Sequence, residues 1–485
     1  MIMSATTTPS RPKPLNRRAT LPRATATLQA RPTTIKTYRA ALAWLETLVN
    51  YESMPKMRRR SVELGLTRIN RILAQLHNPH KNLCCVHVAG TKGKGSTVAM
   101  LSHMLSANEF SVGVYTSPHI LDIRERITIN QHHISEADFT RVVARVMAAT
   151  KAASISDPTF FEALTAAAFL HFAQKKVDIA VVETGLGGRL DCTNVITKPE
   201  VCGITSISLD HTQILGNSIT SIAEEKAGIF KSGVTVISAP QTPEVKRVLR
   251  RTAAKTRSPL LFAGDDIEFS YRFESSRATG PHTRVSVSTP TSRFEHLAVP
   301  LLGEHQAFNC AVALGMLDVL KSRGFEIKDE AAITGLANVH LPGRMEVIFD
   351  APRVMVDGAH NPASVEALMR AIGQNVAYDS MVVVFGCNAD KDVRGMLQLL
   401  QLGADKIIFT ASRSPRACDP AELAAQFAEH SGRMAQWCPT LEEAVHIASK
   451  AVTRDDLLCI TGSFYLVGEA KQLFTQRERV FQLLR

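Results

Sequence analysis

The first 45 residues contain no Asp or Glu; the first acid is Glu46. The same stretch carries Arg11, Lys13, Arg17, Arg18, Arg23, Arg31, Lys36 and Arg39. Setting those eight aside leaves 48 basic residues against 45 acidic, so a formal charge of +11 shrinks to near balance. The body of the chain is therefore not a nucleic-acid footprint by charge. No C-x-x-C occurs, and the nine cysteines are odd in number. That argues against a zinc ribbon or a disulfide framework and suits a reducing compartment. No apolar run approaches the roughly 18 residues a membrane span needs. No secretory apolar segment follows the basic start. No repeat of fixed period appears.

What remains is a long chain of ordinary composition, 485 residues with 45% hydrophobic side chains. Residues 1–35, rich in Thr, Pro, Ala and Arg, read as a disordered basic tail. The sharper alternative is an organelle transit peptide, which is Arg-rich and acid-poor. A helical pattern covers Ile35 to Leu76, including a helix near Val62–Leu76. Apolar strand runs follow at Leu83–Ala89, Val112–Thr116, Val177–Val182, Val201–Ser206 and Val234–Ser238, with helical patterns between. That alternation predicts a parallel sheet covered on both faces. From about Leu260 to Val299, Ser, Thr and Arg in period-two stretches predict a small antiparallel sheet. After Leu341-Pro342-Gly343 a second α/β series begins, with strands at Val354–Val356, Met381–Phe385, Lys406–Phe409 and Leu457–Ile460. The division expected is 36–343, with the small sheet at about 260–300, and 344–485.

The most specific motif is H-V-A-G-T-K-G-K-G-S-T, His87 to Thr97. A strand runs through a Gly-rich turn into a helix at Val98–Leu105. Gly90, Gly93 and Gly95 let backbone N–H groups converge on an anion, and Lys94 adds charge over outer phosphates. The strict phosphate-loop pattern is not met: Val88 stands at its first Gly and Gly95 at its metal-binding hydroxyl. A Mg²⁺ ion must then find ligands elsewhere. Ser117, Glu183, Asp210 and His211 each follow a strand end, where open parallel sheets bind ligands. Glu183 is the best of them on chemistry, because Mg²⁺ prefers oxygen. His211 read alone is a strand-end hydrogen-bonder. Asp357 and His360 end a strand of the second series, and Asp357 is placed to accept ribose hydroxyls. Three glycines in Glu183–Gly188 indicate close backbone approach to a ligand. Ala223–Lys231 reads as a charged helix.

Taken together, eleven pieces resemble the folate branch of the Mur ligase family. They include H-V-A-G-T-K-G-K-G-S-T, Y-T-S-P-H-I with R-E-R-I-T-I-N, P-T-F-F-E-A-L-T, V-V-E-T-G-L-G-G-R-L-D, L-D-H-T-Q-I-L-G and E-E-K-A-G-I. Further along come G-E-H-Q-A-F-N, L-P-G-R-M-E, V-D-G-A-H-N-P, F-G-C-N-A-D-K-D and T-G-S-F-Y-L-V-G-E, in order to about residue 470. The resemblance implies an α/β phosphate-loop central domain with a parallel sheet and a small appended β-sheet, plus a C-terminal Rossmann-like domain. It implies ATP-dependent joining of L-glutamate to dihydropteroate or a reduced folate through an acyl phosphate. It also implies two Mg²⁺ ions, held by Ser117, Glu183 and His211, and a carbamylated Lys226. Gly90, Thr91, Lys92, Gly93, Lys94, Gly95, Ser96, Asn309, Arg344, Asp357 and His360 match positions around the nucleotide. Lys94, Lys226, Arg344 and His360 take the catalytic roles. Phe161 resembles the aromatic wall of the pterin pocket, or is plain core. Asp191 resembles the acid that pairs with the pterin amino edge in bidentate fashion, with Cys192 beside it. The chain departs from the family pattern at Lys92 (usually Asn), Gln131 (usually Gly) and Cys192 (usually smaller).

A muropeptide ligase with the same core is the first alternative, disfavoured because little chain precedes the phosphate loop. A non-catalytic nucleotide- or nucleic-acid-associated protein is the second. The expectation is a cytoplasmic monomer that binds neither nucleic acid nor membrane.

Overall fold

A computed structural model of the protein describes residues 34–50, 65–276 and 280–476. The basic tail and the start of the Val62–Leu76 helix lie outside those residues. The described helix there is Leu66–Gln75, preceded by Tyr38–Glu46.

The largest sheet has eight strands. From one edge they run His132–His133, Ile127–Ile129, Val112–Tyr115, Ile179–Glu183, Cys85–Ala89, Val201–Ile204, Val236–Ser238 and Leu260–Phe262. The six from Val112 onward pair in parallel, and the first two form an antiparallel edge. Cys85–Ala89 and Ile179–Glu183 are buried at every position, as continuous apolar runs in a doubly covered sheet should be. One covering helix, Phe160–Lys175, starts at a capping box in which Thr159 and Glu162 satisfy each other's backbone N–H. It is apolar on nearly all sides and buries Leu164, Phe169 and Phe172 between the sheet and neighbouring helices. Side chains like these contribute about 1.5–3 kcal/mol each when fully buried. The opposite face is covered by Lys94–Ala107, which packs against the long helix Glu304–Ser322 in a second apolar core.

The small antiparallel sheet is present, in the order Arg293–Val299, Gly280–Ser288, Glu268–Ser276. It begins later than the sequence suggests, because Leu260–Phe262 belongs to the large sheet as its parallel edge. The charged helix begins and ends four residues earlier than Ala223–Lys231, at Ile219–Ala227.

A six-stranded sheet follows, in the order Glu346–Asp350, Arg353–Asp357, Leu457–Thr461, Met381–Phe385, Lys406–Phe409, Gln436–Trp437. Its first strand is antiparallel to its neighbour; the others pair in parallel. The two halves touch through the Ser117–Ile120 loop. Ile120 packs into the apolar core beside Val467 and Phe474, and its carbonyl oxygen lies against Gly468, where an added Cβ would sit 2.5 Å away.

Candidate active site

The carboxyl ends of the central strands of both sheets open onto one cavity of about 1310 Å³. That is larger than a single small-molecule pocket of roughly 300–1,000 Å³. Thr91 to Ser96, Ser117, Glu183, His211, Asn309, Arg344, Asp357 and His360 all line it, as do Phe161, Asp191 and Cys192. Residues more than 200 positions apart thus meet at one place. Gly90 and Lys226 stand just behind its wall: Lys226 Nζ donates to the Gly90 carbonyl at 2.7 Å.

The phosphate loop is held by packing. A Cβ on Gly90 would lie 1.8 Å from Thr205 Oγ1, and one on Gly93 2.0 Å from Asn309 Oδ1. Gly93 also takes φ +84°, the left-handed region that favours glycine. The amides of Thr91 and Lys92 are spent on the Ser206 carbonyl, at 2.9 and 3.3 Å. The helix's first internal bond runs from Thr97 N–H to the Gly93 carbonyl. Its N-cap, Gly93, makes no side-chain capping bond. Lys94, Gly95 and Ser96 therefore carry the first-turn amides open to an anion.

Lys94 Nζ lies 3.8 Å from Glu183 Oε1, and Ser117 N–H donates to Glu183 Oε2 at 3.3 Å. Burial pushes the Glu183 carboxyl up, and Lys94 opposes the shift. A cation arriving beside this carboxylate would relieve the same burial cost. Among the described residues no group of three or more His, Cys, Asp or Glu forms a ready-made metal cluster. Burial, and next Lys94, lower the Lys226 amine to about 7, while burial lowers Lys92 to about 8.

On the other wall the Arg344 guanidinium lies over the Phe464 ring, 4.5 Å from its centroid. Asp357 accepts from the backbone N–H groups of Met345 and Ala359 at 2.9 and 2.8 Å. His360 holds its Nδ1 2.8 Å from the Gly358 carbonyl, so Nδ1 carries the proton; burial lowers the ring to about 3.

The Phe161 ring lies on Gly185, where a Cβ would meet it at 2.3 Å, and tilts against Tyr115 at 5.9 Å. It is wall and core edge together. Asp191 Oδ1 already takes two donors, Thr193 N–H at 3.0 Å and the Thr193 hydroxyl at 2.5 Å. Asp191 Oδ2 takes Leu186 N–H at 2.8 Å, so the acceptor capacity left for a ligand donor is on Oδ2.

Several lining residues escaped the sequence reading. Lys391 Nζ reaches Asp210 Oδ1 at 3.2 Å and Asn361 Nδ2 reaches Asp210 Oδ2 at 3.1 Å, joining the two halves. Both carboxylate oxygens of Asp210 are therefore engaged across the junction. His305 faces Arg344 and Lys92, and burial lowers it to about 4. Arg126, 1% exposed, donates Nε–H to His119 Nδ1 at 2.8 Å and stacks over Phe160. Lys391 and His305 lie inside motifs that carry the resemblance, so position was legible where role was not. Gln131 takes φ +65°, the left-handed region that favours glycine.

A cavity lined by a phosphate loop on one side and a second α/β unit on the other is that of an ATP-dependent ligase of the Mur type. Residues 88–317 match the Mur ligase middle domain and residues 343–464 the Mur ligase glutamate ligase domain. A dihydrofolate synthase/folylpolyglutamate synthase of Bacillus subtilis is 34% identical over 442 residues, 90% of this chain and 98% of that protein. Its Escherichia coli counterpart is 31% identical, covering 90% of this chain and 96% of its own. A Mycobacterium tuberculosis folylpolyglutamate synthase complexed with ADP superposes with a TM-score of 0.82 at 31% identity, covering 90% of this chain and 99% of that one. E. coli FolC in complex with DHPP and ADP gives 0.80 at 28% identity, over 92% and 100% of the two chains. The chain belongs to the Mur ligase family, in its dihydrofolate synthase/folylpolyglutamate synthase branch.

Proposed function

We infer that this chain joins L-glutamate to the carboxylate of dihydropteroate and of reduced folates at the expense of ATP. The observation that carries this is one cavity with a phosphate loop at one end and the Phe161–Asp191 pocket at the other. A carboxylate is a poor acylating agent. Its oxygen attacks the γ-phosphorus, the bond to the β-phosphate oxygen breaks, and ADP leaves. The glutamate amine then adds to the acyl carbon, loses a proton, and expels phosphate to leave the amide.

Negative charge gathers on phosphate oxygens in the first step and returns to phosphate in the second, so cations placed beforehand do most of the work. Lys94 and Lys92 supply them from the loop and Arg344 from the opposite wall. Glu183, Ser117 and His211 would hold Mg²⁺, which adds charge at the same oxygens. His360 and Asp357 border the nucleotide, with Asn309 fixing the loop beneath it. We take Lys226 as the site of a carbamate. Its amine, lowered to about 7, is largely neutral and able to add CO₂ at physiological pH, and a carbamate keeps one N–H for the Gly90 carbonyl. The nine cysteines are all free thiols, which supports a reducing, cytoplasmic setting. No helix among the described residues is long and apolar enough to cross a membrane. We read the chain as a monomer acting on small molecules.

Purified protein given ATP, Mg²⁺, L-glutamate and either dihydropteroate or tetrahydrofolate should release ADP and phosphate with both. Release with neither would overturn the reading, and release only with a UDP-linked muropeptide would restore the cell-wall alternative.

A further inference from the structure

Under the Gly-rich loop, three polar side chains from two segments form a buried line. His87, on the central strand, is fully buried, and its Nε2 lies 2.8 Å from Thr193 Oγ1. Thr193 Oγ1 lies 2.5 Å from Asp191 Oδ1. The direction of each bond follows from what the groups can do. Asp191 accepts Leu186 N–H on Oδ2 and Thr193 N–H on Oδ1, at 2.8 and 3.0 Å, as a carboxylate does. The Thr193 hydroxyl then gives its only proton to Asp191 and has lone pairs alone to offer His87. His87 must donate from Nε2, which leaves Nδ1 bare, and Nδ1 has no hydrogen-bond partner. Burial, with Lys231 adding to it, lowers this ring to about 3, so it stays neutral.

An apolar residue in this strand position would fill the space without an unsatisfied nitrogen, whose burial costs about 1–3 kcal/mol. The histidine accepts that cost and spends its single N–H on orienting a hydroxyl. The loop itself has a separate anchor: Asn194 donates to the carbonyls of Arg189 and Gly228 at 2.9 and 3.1 Å and accepts from Lys231 at 2.7 Å. The His87–Thr193 line is thus not what keeps the loop folded.

We propose that His87 and Thr193 are positioning residues for the folate-side substrate, occupying Asp191 Oδ1 so that the carboxylate is held at one angle, with the lone pair of Oδ2 that Leu186 N–H does not use left for the pterin amino edge. This rests on Asp191 as the pterin acid, so the test separates the two. Thr193→Val keeps the volume and removes the hydroxyl; Thr193→Ser keeps the hydroxyl; His87→Phe removes the donor. Thr193→Val and His87→Phe should raise the KM for dihydropteroate roughly tenfold, as loss of one buried hydrogen bond does. The KM for ATP should stay put, and Thr193→Ser should behave like the parent. Asp191→Asn should raise the dihydropteroate KM at least as much. A parent-like KM in Thr193→Val beside a raised KM in Asp191→Asn would overturn the positioning role alone. An unchanged KM in Asp191→Asn would remove the pterin assignment, and this proposal with it. Equal losses for ATP and dihydropteroate, with a lowered melting temperature in every variant including Thr193→Ser, would show a structural role instead.

Discussion

The two halves bring charge to the cavity in opposite states. In the first, ionisable groups stand buried close together, with one backbone bond each for Glu183 and Lys226. Lys226 is lowered to about 7 and Lys92 to about 8, and Glu183 is raised, in each case by burial first. In the second, the groups are settled by their own surroundings. Asp357 has two backbone donors, His360 bonds to Gly358, Asn361 caps its helix, and Arg344 lies on Phe464. Burial raises Asp357 as well, but Arg344 and two backbone donors oppose it, so the second half answers its buried charge with more fixed partners than the first. Substitutions should therefore damage chemistry in the first and alignment in the second.

The largest effect belongs to Lys94→Ala. Loss of a preplaced cation costs about 10²–10³ in turnover or more, and phosphate release should fall to background while circular dichroism stays native. An active variant would remove the phosphate-loop assignment. Lys226→Ala should be nearly as inactive, and short carboxylic acids should return part of its activity by standing in for the carbamate. Full activity without them would show that no carbamate is needed. Lys391→Met, which unties the junction at Asp210, should act differently, raising the KM for ATP several-fold with a smaller change in kcat. A kcat collapse like that of Lys94→Ala would break the contrast between the halves.

The smallest effect is on stability in acid. Burial lowers six histidines of the first half, His80, His87, His103, His171, His211 and His305, and it lowers His360 in the second. An unfolded histidine titrates near 6.5. Between that value and the native ones, about 4 for His80, His171, His211 and His305 and about 3 for His87 and His360, the unfolded chain binds protons that the native chain refuses. Stability is then complete above about pH 6.5 and is lost as pH falls. The first half should lose it at higher pH. The two tryptophans divide conveniently, Trp44 in the first half and Trp437 in the second. Single-tryptophan variants should show the Trp44 emission changing first on acid titration; coincident midpoints would sink the idea.

Strand-end chemistry was legible because parallel strands must expose their carboxyl ends together, so Lys94, Ser117, Glu183, His211, Asp357 and His360 could be placed at one cavity before any coordinates. Bonds to residues far along the chain were not legible. Nothing local tells that the Thr91 and Lys92 amides go to Ser206, or that Lys391 reaches Asp210 from 181 residues away. Short edge strands such as Gln436–Trp437 carry no period to read, and Leu260–Phe262 has the composition of either sheet. Asp191 shows the same limit at a single residue. Its type suits a ligand edge with donors, but its type does not tell that Thr193 and Leu186 donate to its two oxygens.

Ile120 carries a consequence of a different kind. It is three residues from Ser117 and seated in the core of the other half. A ligand that draws Ser117 inward must pull on that seat, and whatever holds the seat must favour the ligand by the same free energy. Nucleotide affinity and the closeness of the two halves are then one quantity measured at two ends. A substitution at Ile120, far from any phosphate, should register as a change in how tightly ATP is held.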